Sequence, residues 1–433
     1  MKKSKSSVNI ITLGCSKNIV DSEVIMRQLA KSNFELKFDS NQHSEIIIIN
    51  TCGFINDAKQ ESIDTILECV NAKKNGSAKK VFVTGCLSER YKSELQKEIP
   101  EIDGFFGVAE LPSLLKSLGA KYKSELLGER LLTTPKHYAY FKVSEGCDRK
   151  CSFCAIPLIR GKHVSRPMDS LVKEAEYLSS IGVKEIILIA QDLTYYGIDI
   201  YKKNALAQLL EKLAKLEKFP WIRLHYAYPT NFPLEILDVM KEYSSICKYI
   251  DIPFQHISDR ILQSMQRGHT QKDIYNLIDN FRNKIEDIAI RTSLIVGYPS
   301  ETSKEFKELI EFVNKAQFDR LGVFKYSPEE NTKAFVLKDS VSATKKNTRF
   351  EDLMQIQQKI SLNKNEAKIG KTFKVIIDKL EGDFYIGRTE FDSPEVDNEV
   401  LIKAKKEKLE IGNFYNVKIT AAEEFDLFGE IKK

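Results

Sequence analysis

The stretch GCDRKCSFC, residues 146–154, carries three cysteines with the spacing C-x3-C-x2-C, namely Cys147, Cys151 and Cys154. The next cysteine along the chain is Cys247. A cubane [4Fe–4S] cluster has four irons and usually takes four thiolates, and the ferredoxin run C-x2-C-x2-C-x3-C contains a fourth cysteine that this stretch lacks. We therefore predict that the three cysteines hold a cubane cluster whose fourth iron is open to a small molecule.

Three other interpretations of this stretch stay open. A zinc site could take His163 as a fourth ligand, although zinc usually binds two short pairs of Cys or His. A redox-active cysteine pair and a chance grouping are the other two alternatives. The spacing favours the cluster over all three.

Residues 138–344 around this stretch repeat a strand–helix unit. The predicted strands are YAYFKVS, KEIILIA, WIRLHYA, CKYIDIP, IAIRTSLIVG and RLGVFKYS. Continuous β-branched runs separated by helical patterns are typical of buried parallel strands. Six units predict a (βα)6 partial TIM barrel rather than a full barrel of eight. The cysteine stretch directly follows the first strand, where such barrels carry their chemistry.

Residues 1–118 form a second α/β region, in which three strands end in the same way. NIITLGC ends at Cys15, IIIINTC at Cys52 and KVFVTGC at Cys86, and a helical pattern follows each of them. In an open parallel sheet such loops meet at the carboxyl edge, where ligands bind. Isolated buried cysteines are common in protein cores. Three cysteines in one repeat position nevertheless favour a second three-thiolate cluster site.

The rest of the chain divides into a linker, a connector and a small barrel. Residues 119–137 are charged and are predicted as a linker, and residues 345–369 show a polar helical pattern that predicts a helical connector. Residues 370–433 alternate in polarity and are broken by Gly, Asp and Asn, which predicts a small antiparallel β-barrel. The predicted fold class is α/β multidomain: an open parallel α/β sheet, a partial TIM barrel and a C-terminal β-barrel.

The composition indicates a globular chain of several domains. It has 433 residues, of which 42% are hydrophobic, and a net charge of +5 that permits an acidic partner without requiring one. The apolar run VNIITL is too short for a signal peptide, and no stretch approaches the roughly 18 apolar residues of a membrane span. We expect a soluble cytoplasmic protein without a membrane partner. Cys69 and Cys247 have no partner by spacing and are interpreted as structural.

The cysteine stretch resembles the signature of radical S-adenosylmethionine (SAM) enzymes, which includes an aromatic residue before the last cysteine, here Phe153. The resemblance implies that SAM chelates the open iron and is cleaved to a 5′-deoxyadenosyl radical that abstracts hydrogen. With its N-terminal cysteine region and C-terminal barrel, the whole chain resembles the methylthiotransferases. In that family a second [4Fe–4S] cluster carries the sulfur to be inserted, and the small barrel is a TRAM domain. The implied cofactors are two [4Fe–4S] clusters and S-adenosyl-L-methionine.

Seven stretches are similar to the ribosomal-protein branch of that family, the RimO-type enzymes. They are TLGCSKNIVDSE (12–23), NTCGFI (50–55), KVSEGCDRKCSFC (142–154), IRGKHVSRP (159–167), RTSLIVGYPSET (291–302), VFKYSPEENT (323–332) and SPEVDNEVLI (393–402). The tRNA branch usually has YGCQMN where this chain has LGCSKN, and Ser16 stands where the RimO branch usually has Pro. The resemblance implies methylthiolation of the β-carbon of one aspartate in small-subunit ribosomal protein S-twelve, free or in the subunit.

The resemblance also implies where SAM binds, beside the cysteine stretch and at the ends of the second and fifth barrel strands. The implied cofactor contacts are Phe153, Gln191, Asp192, Ser293, Ile295, Gly297 and Glu301. Four basic residues follow the cysteine stretch and are interpreted as contacts to the cofactor carboxylate, as groups that raise the cluster potential, or as solvated side chains: Arg160, Lys162, His163 and Arg166. No catalytic general base is assigned, because the protein of a radical enzyme supplies position and excludes water.

Two other functions compete with ribosomal-protein modification, namely a tRNA adenosine methylthiotransferase and an iron–sulfur electron carrier. Residues 370–433 hold 11 Lys or Arg against 14 Asp or Glu, a net −3, whereas an RNA-binding barrel should be basic. The acidic loop DSPEVDNE (392–399) is interpreted as a face for a basic ribosomal protein, or else as a solvated surface without a partner. The expected partners are ribosomal protein S-twelve, a low-potential electron donor and a sulfur donor, and nucleic acid is not required for substrate recognition.

Overall fold

Three β structures follow one another along the chain in this computed structural model, which describes residues 5–32, 34–404 and 408–432. The outer ends of the first and last predicted domains, residues 1–4 and 433, therefore lie outside the described residues. None of the helices within the described ranges is long and apolar enough to cross a membrane.

The N-terminal region is a five-stranded parallel sheet with its helices. Its elements are β1 (Ser7–Thr12), α1 (Ser16–Ala30), β2 (Glu35–Phe38), β3 (Ile46–Thr51), α2 (Asn56–Lys74), β4 (Lys80–Gly85), α3 (Cys86–Glu98), β5 (Gly104–Phe105) and α4 (Leu111–Ser117). The strand order is β2-β1-β3-β4-β5. The three predicted strands β1, β3 and β4 are neighbours, which confirms the predicted parallel sheet. The edge strands β2 and β5 are short, and no apolar run in the sequence indicated them.

The central region is a six-stranded parallel sheet in the order β13-β12-β11-β10-β9-β6, and β7 and β8 form a separate antiparallel pair. Its elements are β6 (Tyr138–Lys142), β7 (Ser144–Glu145), α5 (Ile156–Arg160), β8 (Val164–Ser165), α6 (Met168–Ser180), β9 (Glu185–Ile189), α7 (Ile198–Tyr201), α8 (Leu206–Lys215), β10 (Trp221–Leu224), α9 (Glu235–Glu242), β11 (Ile246–Asp251), α10 (Asp259–Ser264), α11 (Gln271–Lys284), β12 (Ala289–Val296), α12 (Ser303–Ala316) and β13 (Arg320–Lys325). All six predicted strands are present in the predicted order, so the partial barrel is confirmed.

The predicted connector is α13 (Ala343–Glu366), which joins the central sheet to the C-terminal barrel. Gln357 on this helix donates to the Phe318 carbonyl oxygen of the central region at 3.0 Å. Asn365, one residue before its end, donates to the Glu423 carbonyl oxygen of the barrel at 2.9 Å. The helix therefore contacts both regions.

The C-terminal region is a closed five-stranded barrel, as predicted. Its strands are β14 (Thr372–Glu381), β15 (Phe384–Arg388), β16 (Glu399–Lys403), β17 (Phe414–Ala422) and β18 (Asp426–Ile431). Four of the strand pairs are antiparallel, and β16 pairs with β18 in parallel. The sequence pattern had shown four alternating runs, because β17 and β18 follow each other after a turn of only three residues.

The predicted linker, residues 119–137, is packed between the two α/β regions. Arg130 within it is 1% exposed and pairs with Glu23 of α1 at 2.8 Å and with Glu174 of α6 at 3.0 Å. A buried guanidinium with a carboxylate partner on each helix ties the two helices together, because moving either helix away would break a buried ion pair. This part of the chain thus helps to hold the N-terminal sheet against the central one. The domain boundaries drawn from the sequence stay a prediction.

The acidic loop lies against the inner face of the central sheet rather than in solvent. Asp392 is fully buried and forms an ion pair with Arg320 of β13. The Asp397 carboxylate is also buried, 3.3 Å from Nε of Arg291, and accepts a hydrogen bond from the Tyr249 hydroxyl at 2.7 Å. Interpreting these two acids as a face for a basic protein, or as a solvated surface, is therefore wrong. A count of charges along the sequence cannot show that their counterions lie on distant strands.

The tip of the acidic loop carries Glu395, whose backbone is left-handed with φ +70°. Its carboxylate accepts hydrogen bonds from the hydroxyls of Tyr138 at 2.9 Å and Tyr140 at 3.2 Å, both on β6. The loop thus reaches the same strand that leads to the cysteine stretch. The C-terminal barrel consequently forms part of the wall around the inner face of the central sheet.

Candidate active site

The first cysteine set lies on one loop between β7 and α5, at the carboxyl end of β6. Burial raises the pKa of Cys147 to about 11 and that of Cys154 to about 12, and the neighbouring Cys151 thiol adds to both increases. Metal ligation deprotonates a buried thiol outright. The three thiols therefore fit a multi-iron centre as a group.

Side chains from distant parts of the central region surround Cys151. Arg267 donates from Nη1 to its sulfur at 3.3 Å, and the Tyr228 hydroxyl lies 3.5 Å from the same sulfur. The guanidinium groups of Arg149 and Arg267 each lie 4.2 Å from the centre of the Tyr228 ring. No pattern in the sequence indicated Arg267 or Tyr228, because each lies more than 70 residues from Cys151. Arg149 lies within the cysteine stretch and could have been noticed as a cation beside it.

The loop that carries the first set packs closely against another chain segment at Gly146, which has φ +72°. A Cβ atom at this position would lie 2.0 Å from the Lys162 carbonyl oxygen. The next residue, Cys147, donates its backbone N–H to the Gly161 carbonyl oxygen at 3.1 Å. Glycine is therefore required here both for the left-handed backbone and for the close approach of the two chain segments.

We expect Gly146→Ala to lose the iron that the first cysteine set is predicted to bind, because the loop must move to relieve the clash. Iron and sulfide per chain after anaerobic reconstitution measure this. Gly161→Ala is the matched control, since Gly161 also has a positive φ of +71° but a Cβ there would meet nothing within 4 Å. Both variants place an alanine at a positive φ, at a cost of about 1–3 kcal/mol. Equal iron in the two variants would show that the close approach at Gly146 is unimportant.

The second cysteine set lies on the loops that follow β1, β3 and β4, as predicted from their positions. A Cβ atom on Gly14 would lie 3.0 Å from the Cys52 sulfur, so the first two loops touch. Burial raises the pKa of Cys86 to about 12, and the nearby thiols of Cys15 and Cys52 add to the increase. The structure therefore brings the three thiols together, while their role as ligands stays a prediction.

Two of these thiols lie at helix N-termini. Cys15 is the N-cap residue of α1, and Cys86 is the first residue of α3. The unpaired N–H groups at a helix N-terminus stabilise nearby negative charge. Cys52 is buried and Cys15 is exposed, so the set has one side open to solvent.

The donor sets fit clusters better than single ions. Within the described ranges, no three His, Cys, Asp or Glu side chains are arranged to hold one metal ion. His163, the proposed fourth zinc ligand, instead has its Nε2 atom 2.9 Å from the Ser165 hydroxyl oxygen. In a cubane cluster each thiolate ligates a different iron, so three thiols need not converge on one point. Three cysteines without a fourth ligand match a cluster with one open iron.

Two of the predicted cofactor contacts, Phe153 and Ile295, are brought together. Phe153 packs with Ile295 in one apolar cluster beside the cysteine loop. Ser293 is on the same strand as Ile295, and its carbonyl oxygen accepts a hydrogen bond from the Gln255 N–H at 2.9 Å. The structure therefore brings Phe153 and Ile295 together, and Ser293 lies on the same strand as Ile295. Their contact with a cofactor stays a prediction.

Gln191 and Asp192, after the end of β9, are both engaged by neighbouring side chains. Gln191 donates from Nε2 to the Glu145 carboxylate at 2.7 Å. Asp192 accepts a hydrogen bond from Nε of Arg149 at 2.7 Å. The two residues therefore lie next to the cysteine loop, and they hold Arg149 and Glu145 in place.

Gly297 and Glu301 belong to the turn after β12. The Glu301 carboxylate accepts hydrogen bonds from the Gly297 and Tyr298 N–H groups and pairs with Arg349 of α13 at 3.0 Å. Burial raises the pKa of Glu301 to about 7. Because both carboxylate oxygens are engaged within the protein, this side chain holds the turn against the connector helix.

Comparison with known proteins identifies the three regions. Residues 7–107 match the family described as "Uncharacterized protein family UPF0004", residues 141–313 match the radical SAM superfamily, and residues 369–431 match the TRAM domain. Membership of the radical SAM superfamily brings SAM and a [4Fe–4S] cluster as cofactors.

Solved structures share the fold at low sequence identity. The radical SAM methyltransferase TsrM from Kitasatospora setae is 14% identical, with a TM-score of 0.57 and 77% of each chain covered. The cobalamin-dependent SAM radical enzyme OxsB is 13% identical, with a TM-score of 0.52, 82% of this chain and 56% of that chain covered. These similarities show the fold alone.

Curated relatives match nearly the whole chain. Proteins named "Ribosomal protein uS12 methylthiotransferase RimO" are 58% identical over 428 residues in Flavobacterium johnsoniae, covering 98% of both chains, and 56% identical over 430 residues in Cytophaga hutchinsonii, covering 99% of this chain and 98% of that one. The relative of the same name in Phocaeicola vulgatus is 55% identical and covers 99% of both chains. The chain therefore belongs to the RimO family of radical SAM methylthiotransferases.

Proposed function

We propose that this enzyme methylthiolates the β-carbon of one aspartate in ribosomal protein uS12, with SAM and two [4Fe–4S] clusters. The observation that carries the proposal is the presence of two separate sets of three thiols, each without a fourth protein ligand among the residues that the structure describes. In the proposal the set on the central loop binds the cluster that activates SAM, and the set on the N-terminal sheet binds the cluster that presents the sulfur. The ligands are Cys147, Cys151 and Cys154 for the first cluster and Cys15, Cys52 and Cys86 for the second.

When bound, a [4Fe–4S] cluster with SAM on its open iron supplies the one-electron reductive cleavage that starts radical chemistry. The chain itself supplies position. Arg267 and Tyr228 contact the Cys151 sulfur and so orient one ligand of the first set. Phe153 and its apolar neighbours provide a dry wall beside that set, and exclusion of water protects a reactive species from side reactions.

The acidic loop covers part of the inner face of the central sheet. Glu395 binds the hydroxyls of Tyr138 and Tyr140 on β6, and the Ser393 hydroxyl lies 2.7 Å from Nε2 of His225 beyond β10. A substrate segment therefore has to approach from the carboxyl ends of the strands, where both thiol sets lie. This direction brings a target side chain between the two proposed clusters.

Two further partners follow from the chemistry. A low-potential electron donor has to supply the electron for SAM cleavage, and a sulfur donor has to replace the sulfur that leaves with the product. Modification of a ribosomal protein places the enzyme in the cytoplasm. Recognition of uS12 needs no nucleic acid in this proposal, and the tRNA adenosine and electron-carrier functions are the alternatives.

Mass spectrometry of uS12 peptides and of tRNA nucleosides, from cells with and without this gene, tests the proposal. We expect a methylthio group on one uS12 aspartate that disappears with the gene, while the tRNA nucleosides stay unchanged. Loss of a methylthioadenosine instead would replace the protein substrate by tRNA and would leave the two-cluster chemistry standing. Cells that show neither loss would contradict both substrates.

A further inference from the structure

The side chain of Arg160 extends from the helix that follows the first thiol set to the second set. Arg160 is the last residue of α5, the helix that follows the first cysteine set, and its side chain is 2% exposed. Its Nη2 atom nevertheless donates to the sulfur of Cys86, in the second set, at 3.4 Å. The same nitrogen donates to Oδ1 of Asn18 at 2.5 Å, and Asn18 lies on α1, which begins directly after Cys15.

Two carboxylates fix the guanidinium in this orientation. Nη1 of Arg160 donates to Asp21 at 2.8 Å and to Glu145 at 3.0 Å. Glu145 is held in turn by Nζ of Lys142 at 2.8 Å and by Nε2 of Gln191 at 2.7 Å. With Nη1 bound on one side, Nη2 has little freedom to turn away from the Cys86 sulfur. The contact is therefore part of a fixed network across the boundary between the N-terminal and central regions.

We propose that Arg160 is a positioning residue for the second cluster, and that its hydrogen bond to the Cys86 sulfur raises the reduction potential of that cluster. The inference rests on the proposed function, which assigns a cluster to Cys15, Cys52 and Cys86. Hydrogen bonds to ligating sulfurs and nearby positive charge stabilise the reduced form, which carries one more electron. By sequence Arg160 belongs to the loop of the first set, but the structure places its donor on the second.

The test uses the full chain with Cys147, Cys151 and Cys154 all changed to Ala, so that iron can bind only at the second set. After anaerobic reconstitution, a redox titration followed by electron paramagnetic resonance gives the potential. We expect Arg160→Gln to bind the same iron per chain with a lower potential. At the parent's midpoint, its ratio of reduced to oxidised cluster should fall roughly tenfold, which corresponds to about 59 mV for one electron.

Arg90→Gln in the same background is the matched control. The Arg90 side chain is 5% exposed and also joins the two regions, from α3 to the Glu329 carboxylate at 2.7 Å and to the Gly53 carbonyl oxygen at 3.2 Å, but it contacts no thiol in the described residues. If Arg160 only held the regions together, both variants would lower the melting temperature and neither would shift the potential. We expect the potential to shift in Arg160→Gln alone.

Two further outcomes separate the inference from the function on which it rests. If the parent with an intact Arg160 binds no iron, the second cluster and thus the proposed function fail. If the parent and Arg160→Gln bind equal iron at the same potential, the Arg160 inference is overturned and the second cluster stands. If Arg160→Gln loses iron, the reduction potential is measured in Arg160→Lys instead. We expect a smaller decrease there, because an ammonium keeps the charge but not the planar fork, and an unchanged potential would overturn the inference.

Discussion

We expect alanine at Cys147, Cys151 or Cys154 to abolish the formation of 5′-deoxyadenosine from SAM. Each of these thiolates would ligate one iron, and no fourth cysteine is close in sequence to replace a missing one. A cluster that loses one of its three protein ligands is no longer held stably, and its open iron can then no longer bind SAM. Incubation with SAM under reducing, anaerobic conditions, followed by chromatography and mass detection of deoxyadenosine, measures the effect.

Cys247→Ala is the matched control for this prediction. Cys247 is 1% exposed and packs with Trp221, Tyr249 and Ala289 on the inner face of the central sheet. The substitution removes one buried sulfur from the same region without touching the cysteine loop, so deoxyadenosine formation should persist. Deoxyadenosine at the parent rate in a Cys151→Ala chain would exclude the radical SAM role of the first set.

The cysteines could be predicted from sequence because both sets are encoded locally. The first set is a spacing within nine residues, and the second repeats one position at the end of three apolar strands, which parallel pairing makes neighbours. The strands of the partial barrel were predictable for the same reason, since each is a continuous apolar run. Local patterns of this kind predict positions in the fold, because the sheet geometry determines where the ends of the strands lie.

The groups around the thiols could not be predicted, because their contacts are long-range. Arg267 reaches Cys151 across 116 residues, and Arg160 reaches back to Cys86 across 74. The interpretation of the acidic loop as an exposed surface was wrong for the same reason, because Asp392 pairs with Arg320 only when the C-terminal barrel packs on the central sheet. Charge counted along a chain indicates surface character only where the charged side chains stay in solvent.

The second large effect is a separation of the two halves of the reaction. Alanine at Cys15, Cys52 or Cys86 should spare deoxyadenosine formation and remove the methylthiolated product. The first set lies on a different loop, and two kinds of contact join it to the second: Arg160 donates to the Cys86 sulfur, and Ala155 and Ile159 pack against Cys86. When Cys86 becomes Ala, Arg160 keeps its bonds to Asp21 and Glu145, so α5 and the first set stay in place.

Both products are measured in one anaerobic reaction with uS12 as substrate, deoxyadenosine by its mass and the methylthio group on the digested protein. Cys69→Ala is the control, because Cys69 is 6% exposed, lies on α2 and packs in the apolar core of the N-terminal sheet away from the three loops. It should give both products. Methylthiolated uS12 from a Cys52→Ala chain would mean that sulfur reaches the substrate without the second set, and the role proposed for these three cysteines would be wrong. Loss of both products in all three variants would instead mean that the second set supports the first, which the separate loops argue against.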